Sequence, residues 1–201
     1  MPTPEDVTRH HEWDAREASD IWVDGPPQPE SVVIAEYAPA WSAAYDSVAE
    51  RVRRALGDRV LALDHVGSTA VPGLAAKPVI DVDLTVADSS DEEAYVADLQ
   101  RVGFELTIRE PGWHEHRLLK GDEPRVHLHV FSPDCPETVR HLMFRDWLRT
   151  HPDDAGRYVE AKRLAASAAT TAGESGMGYN LRKEVVIREI YGRMFAAHGL
   201  L

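Results

Sequence analysis

The stretch HVGSTAVPGLAAKPVIDVDLTV, His65 to Val86, sets a Gly-Ser pair ahead of two aspartates spaced by one residue on an apolar run. Its second half, PVIDVDLTV, is dense in Val and Ile and bounded by Pro78 and the polar DSSDEE, which predicts a strand. Alternation places residues i and i+2 of a strand on one face, so Asp81 and Asp83 share one side while Ile80, Val82 and Leu84 take the other. Two carboxylates this close repel unless a cation lies between them, and Mg²⁺ is a common solution, held by one or two carboxylates with substrate phosphates and water. Gly67 permits close backbone approach, and Ser68 offers a hydroxyl and an N–H at the start of a turn, a geometry suited to phosphate oxygens. A lone Asp-x-Asp is more often a solvated strand end and a lone Gly-Ser an ordinary turn; the two in this order are more specific.

Around this core, RVLALDHVG predicts a strand that stops at Gly67, and Pro72 and Gly73 limit STAVPGLAA to a short helical turn and loop. Upstream, SVVIAEY reads as a strand, and APAWSAAYDSVAERVRRALGD carries Trp41, Tyr45, Val48, Val52 and Leu56 at helical spacing, ending near Gly57. Downstream, Tyr95, Leu99 and Val102 mark one helical face, and GFELTIRE, HEHRLLKG and RVHLHVFS predict three antiparallel neighbours. From Pro136 the pattern is helical in three segments, the last from about Tyr179 to His198 with Val186, Ile190 and Met194 on its buried face. Residues 1–30 read as an N-terminal extension with a short helix around residues 4 to 18, draped over the domain by Trp13, Ile21 and Trp22; the domain proper is expected over 31–201.

With 201 residues, 43% hydrophobic and 28% charged, the chain has the balance of an ordinary soluble domain. No apolar run approaches the roughly 20 residues a bilayer needs, and the N-terminus lacks the pattern of a secretory signal, so a cytoplasmic protein without a membrane partner is expected. The single cysteine, Cys135, excludes an internal disulfide and a Cys-x-x-Cys site, and with no cationic neighbour in sequence it reads as a bystander. A formal charge of −12 argues against binding long nucleic acid through a basic surface, while a small, metal-bridged ligand is compatible with it. The sequence leaves the oligomeric state open.

HVGSTAVPGL and the strand after it closely resemble the signature of the GrpB-like family, whose fold belongs to the nucleotidyltransferase superfamily. VVIAEYAPAWSAAYDSVAERVRRALGD is similar to that family's opening segment, VHLHV to its His-containing strand, and RHLMFRDWLRTHPDDAGRYVEAKRLAA to its helical region, about residues 31 to 195 in all. The resemblance implies an α/β (α+β) fold with a mixed, mainly antiparallel sheet flanked by helices, including C-terminal helices. It also implies that Gly67 and Ser68 contact the phosphates of a nucleoside triphosphate, that Asp81 and Asp83 bind Mg²⁺, and that an acceptor hydroxyl attacks the α-phosphate with loss of pyrophosphate.

The superfamily's usual third carboxylate has no counterpart on RVHLHV, where His127 and His129 share a face. Neutral imidazole can bind metal or act as a base near pH 7, so His129 is a catalytic candidate and both histidines are metal candidates, with Mn²⁺ or Zn²⁺ as alternatives to Mg²⁺. Glu115 is a further candidate acid. Lys77, within the signature, and Arg117 are candidate phosphate contacts, with surface positions as the competing reading; Arg125 is similar. His65 is expected to be structural, and His114 and His116 pair with His127 and His129 as an imaginable zinc cluster. Arg145 and Asp146 either line the cleft or dock their helix, and Tyr179 and Lys183 either close over a ligand or pack.

Three readings follow. The first is a Mg²⁺-dependent nucleotidyltransferase-like enzyme that modifies a small hydroxylated or phosphorylated acceptor. The second is a non-catalytic nucleotide- or phosphate-binding module, accessory to coenzyme A metabolism, since members of the family resemble domains fused to dephospho-coenzyme A kinase. The third is a metal-dependent hydrolase built on the histidine pairs.

Overall fold

The computed structural model describes residues 1–11 and 21–201. Among these, five strands form one mixed sheet: β1 (Ala62–Val66), β2 (Ile80–Thr85), β3 (Glu105–Glu110), β4 (His116–Asp122) and β5 (Arg125–Phe131), in the order β1-β2-β5-β4-β3. β2 and β5 run parallel and the other neighbours antiparallel. The mixed, mainly antiparallel α/β architecture is the one the sequence implies.

One face of the sheet is apolar. Val82, Leu84, Leu128 and Val130 are fully buried there with Leu119, against helix α2 (Ala40–Leu56), which presents Val48, Val52 and Leu56 at its helical spacing and stops at Gly57 with φ 56°. The short helix α3 (Val96–Arg101) adds Leu99 to the same core. The other face carries Asp81, Asp83, His127 and His129, because Ile80, Val82 and Leu84 occupy the apolar side.

That polar face is roofed by three C-terminal helices, α4 (Pro136–Thr150), α5 (Pro152–Ala172) and α6 (Gly176–Ala197). α4 and α5 each begin with proline, where the missing N–H costs nothing, and α5 ends at Gly173 in the left-handed conformation. The helices have their own core of Phe144, Trp147, Leu148, Tyr158, Ile190, Met194 and Phe195. Helix α1 (Pro4–Thr8) joins this cluster through Val7, whose carbonyl accepts a 3.0 Å bond from Arg140 Nε. Among the described residues, no helix is long and apolar enough to cross a membrane.

Several local expectations change. SVVIAEY makes a single bridge, Ala35 to Ala76, rather than a strand, because the segment it meets is the irregular chain before β2. The Asp91–Val102 helix is broken into a 3₁₀ turn (Glu92–Ala94) and α3. β4 begins at His116, since His114 and Glu115 sit in a left-handed turn with φ 56° and 49°. The N-terminal helix spans Pro4–Thr8; the rest of its expected range and Trp13 lie outside the described residues. Ile21 and Val23 bond to the edge strand β3, with Trp22 bridging Ile108.

Candidate functional site

The site grows from the register of β2 and β5. Parallel pairing sets Asp81 beside His127 and Asp83 beside His129, all four on the polar face. Asp81 Oδ1 is 3.3 Å from His127 Nδ1 and 4.0 Å from His129 Nε2. Ligand atoms of these three residues lie within 4.8 Å of one another, close enough to hold one metal ion. Burial alone would raise the Asp81 pKa, but the hydrogen bond from His127, with His127 and Lys183 as nearby positive partners, outweighs it and lowers it. His129 is pushed well below the usual imidazole range by burial and by neighbouring His116, so its ring is neutral and able to ligate.

Asp83 does something else. It is 2% exposed, and its Oδ2 lies 2.9 Å from Nδ1 of His141 on α4. Burial opposes the charge on His141, yet Asp83, with Glu137 and Asp81 farther off, raises its pKa to about 9. Asp83 itself is raised by burial, partly offset by His141, with Asp81 and Asp64 adding repulsion. Its other oxygen, Oδ1, is buried without a hydrogen-bond partner. The strand therefore aims its two aspartates at different partners, Asp81 at the β5 histidines and Asp83 at the helical roof.

This arrangement bears on the expected metal. A Mg²⁺ pair calls for oxygen donors and water, whereas Asp81, His127 and His129 offer one carboxylate and two imidazoles, and Asp83 is engaged by His141. The mixed donor set of Asp81, His127 and His129 suits a single nitrogen-tolerant ion such as Zn²⁺ or Mn²⁺.

Gly67 abuts the cluster. β1 places Val66 opposite Asp81, and Gly67 follows with φ 68°; a Cβ there would lie 2.4 Å from Asp81 Oδ2. Only glycine lets the turn that begins at Ser68 come this close. From the roof, Lys162 on α5 and Lys183 on α6 act electrostatically on Asp81 or respond to it. Lys162 is 1% exposed and donates to the Ala75 carbonyl, and burial followed by the Lys183 charge lowers its pKa to about 7. The Lys183 ammonium rests 4.6 Å over the Tyr179 ring.

Other sequence candidates are not brought to the cluster. Arg117 lies on the apolar side of β4, in register with Val130, and pairs with Glu92 at 2.7 Å and with Glu115. Lys77 is tied to Glu30, which also holds Arg125 at 2.6 Å; burial resists the Glu30 charge, but the two cations bring its pKa down to about 2. His65 stacks on Tyr45 at 4.7 Å, and burial lowers its pKa to about 4, the structural role expected of it. Arg145 pairs with Asp146 and donates to the His65 carbonyl at 3.1 Å, docking α4 on β1. Cys135 is buried, which raises its thiol to about pKa 11.

Three residues near the site escaped sequence reasoning: the buried Lys162, His141 and Asp64. His141 sits in a helix whose approach to β2 no local pattern reveals. Asp64 is a carboxylate on a strand next to β2, directly opposite Asp83; the alternation of LALDHV carried that signal, since His65 faces Tyr45.

Comparison with known proteins bears on the family and the fold. The UPF0157 protein BH1888 of Halalkalibacterium halodurans is 49% identical over 140 residues, covering 70% of this chain and 72% of that protein. A dephospho-CoA kinase of Mycolicibacterium paratuberculosis is 32% identical over 157 residues, 65% of this chain but 39% of that protein. The crystal structure of the conserved protein GrpB from Enterococcus faecalis superposes with a TM-score of 0.71 at 31% identity, covering 83% of this chain and 99% of that one. The family model described as GrpB protein matches residues 31–193, a span that holds the sheet, the aspartate and histidine strands and nearly all of the helical roof. With most of its length inside that match, the chain belongs to the GrpB family.

Proposed function

We propose that the protein is a single-metal enzyme acting on the phosphate of a small nucleotide, with nucleotidyl transfer from a nucleoside triphosphate to a small hydroxylated or phosphorylated acceptor as its reaction. The observation that carries this reading is the convergence of Asp81, His127 and His129 beside the Gly67 turn. A bound Zn²⁺ or Mn²⁺ would supply Lewis-acid polarisation of a phosphoryl oxygen. The chain's own part is to hold the three donors on two paired strands, to engage Asp83 through His141, and to offer Lys183 as a countercharge to an anionic ligand. The acidic surface, −12 overall, favours a small acceptor over a long nucleic acid. One cysteine, buried, suits a cytoplasmic setting.

Calorimetry with Zn²⁺, Mn²⁺ and Mg²⁺, followed by ATP, GTP, CTP and UTP in the presence of the tightest ion, tests this reading. The expected result is one metal per chain, Zn²⁺ or Mn²⁺ ahead of Mg²⁺, and nucleotide binding that D81A abolishes. Wild-type protein that binds no metal, or D81A that binds it unchanged, overturns it.

A second reading is a binding module without turnover. It draws on the alignment with a dephospho-CoA kinase, which spans 39% of that protein and so matches one part of it. Nucleotide binding with no pyrophosphate released in the presence of diverse acceptors would favour this module.

A further inference from the structure

A line of buried polar side chains runs across the sheet from its edge to the proposed metal donors. Glu110 on β3 and His116 on β4 are directly opposed, and Glu110 Oε2 contacts His116 Nδ1 in a short hydrogen bond. His116 Nε2 lies 3.0 Å from His129 Nδ1 on β5. His129 Nε2 faces Asp81. Glu110 and His116 are 6% and 2% exposed, so neither is a surface group with water as its partner.

Donor and acceptor counting gives the line a direction. Burial raises the Glu110 pKa to about 7, so above that pH Glu110 is a carboxylate that only accepts; His116 then donates from Nδ1, which leaves Nε2 as its lone pair. That lone pair must accept from His129 Nδ1–H, and His129 Nε2 is then bare. The opposite polarity, with a proton on Glu110, would put an N–H on His129 Nε2, whose nearest carboxylate oxygen is 4.0 Å away and outside hydrogen-bond range. The first polarity instead leaves two lone-pair-bearing atoms, His129 Nε2 and Asp81 Oδ1, facing one space.

We infer that Glu110 and His116 are positioning residues for His129: they hold its imidazole as the Nδ1–H tautomer and aim the Nε2 lone pair into the space shared with Asp81 and His127. The role given to that lone pair rests on the metal reading above; the tautomer itself does not. Metal-ligating histidines commonly donate their second ring N–H to a neighbouring group that fixes ring orientation, and here the support is two groups deep. The packing agrees, because His116 stacks between the His129 and Phe131 rings, 5.2 and 4.8 Å away, with the Trp113 edge at 5.1 Å. Neither side chain touches the ligand space, so their influence passes through His129.

The decisive experiment is long-range ¹⁵N–¹H correlation NMR at about pH 8.5, above the Glu110 pKa of about 7, on uniformly ¹⁵N-labelled full-length protein stripped of metal with a chelator. Expected is His129 protonated on Nδ1 and bare on Nε2; the reverse tautomer overturns the inference. Zn²⁺ titration of variants gives a second readout. H116F keeps an aromatic ring but no hydrogen bond and should bind Zn²⁺ about 10–100-fold more weakly, as should E110L, whereas E110Q, which still accepts from His116, should recover most of the affinity. Folded H116F with wild-type Zn²⁺ affinity also overturns it. If H116F fails to fold, the wild-type tautomer decides alone. If wild-type protein binds no Zn²⁺, the metal reading falls while the tautomer measurement still judges the relay.

Discussion

Gly67 and Asp81 are packed so closely that any side chain at the first would collide with the carboxylate of the second. A Cβ on Gly67 would stand 2.4 Å from Asp81 Oδ2 and 2.9 Å from its Cβ, on a backbone with φ 68°. G67A therefore combines left-handed strain with a steric displacement of Asp81. Destabilisation of about 1–3 kcal/mol is expected from such a strained position, together with weaker Zn²⁺ binding. Urea denaturation and calorimetry on the same variant check both; unchanged Zn²⁺ affinity would show that Asp81 does not need this approach.

The Asp83–His141 pair makes a different prediction. With Asp83 2% exposed and one oxygen already unpartnered, removing His141 leaves a buried, uncompensated carboxylate. H141A should lose about 3–5 kcal/mol, as breaking one side of a buried pair does. The double variant D83N/H141A should recover a large part of that loss, because the charge is gone. Chemical denaturation of both variants provides the comparison, and equal instability of the two would rule out this account.

Stability should fall away on both sides of neutral pH, for opposite reasons. His141 has a folded pKa of about 9, above its ordinary value of 6.5; its contribution is full below pH 6.5 and is lost as pH rises toward 9. His65 is depressed to about 4, so its neutral form favours folding above pH 6.5, and that advantage is lost as pH falls to 4 while the unfolded chain takes up a proton. Replacing His65 with glutamine should reduce the acid-side slope of stability by up to about 1.4 kcal/mol per pH unit, the value for one proton. Denaturation midpoints at half-unit steps of pH measure it, and an unchanged slope would remove His65 from the account.

The cations should separate by function. Lys183 acts electrostatically on Asp81 of the cluster, whereas Lys77 is tied to Glu30 and Arg117 to Glu92 on the apolar side of the sheet. K183A is expected to weaken ATP binding about tenfold, a loss of about 1.4 kcal/mol. K77A should leave ATP affinity near wild type, and R117M should alter stability before binding. Calorimetry of the three variants tests the ordering, and a dominant loss in K77A would reverse it.

Most of the fold was legible because its signals are local. The period-two pattern of IDVDLT predicts β2 and the sharing of one face by Asp81 and Asp83, and α2 follows from apolar residues three and four apart. SVVIAEY misled because β propensity reports a side-chain pattern and not a partner, and its neighbour offers one bridging residue, Ala76. HEHR misled because an alternating pattern does not show that His114 and Glu115 lie in a left-handed turn.

By itself the sequence determined the architecture, the family, and the residue types available to the site, since strand alternation and helix periodicity are properties of neighbouring residues. Tertiary structure alone decided how those residues are paired. Asp83 meets His141 across 58 positions of chain, and Asp81 meets His127 through the β2–β5 register. Glu110 reaches His129 only through His116 across three strands. Such pairings depend on strand order and on the angle at which a helix crosses a sheet, which are set by packing of the whole apolar core and leave no trace in the spacing of the residues they bring together.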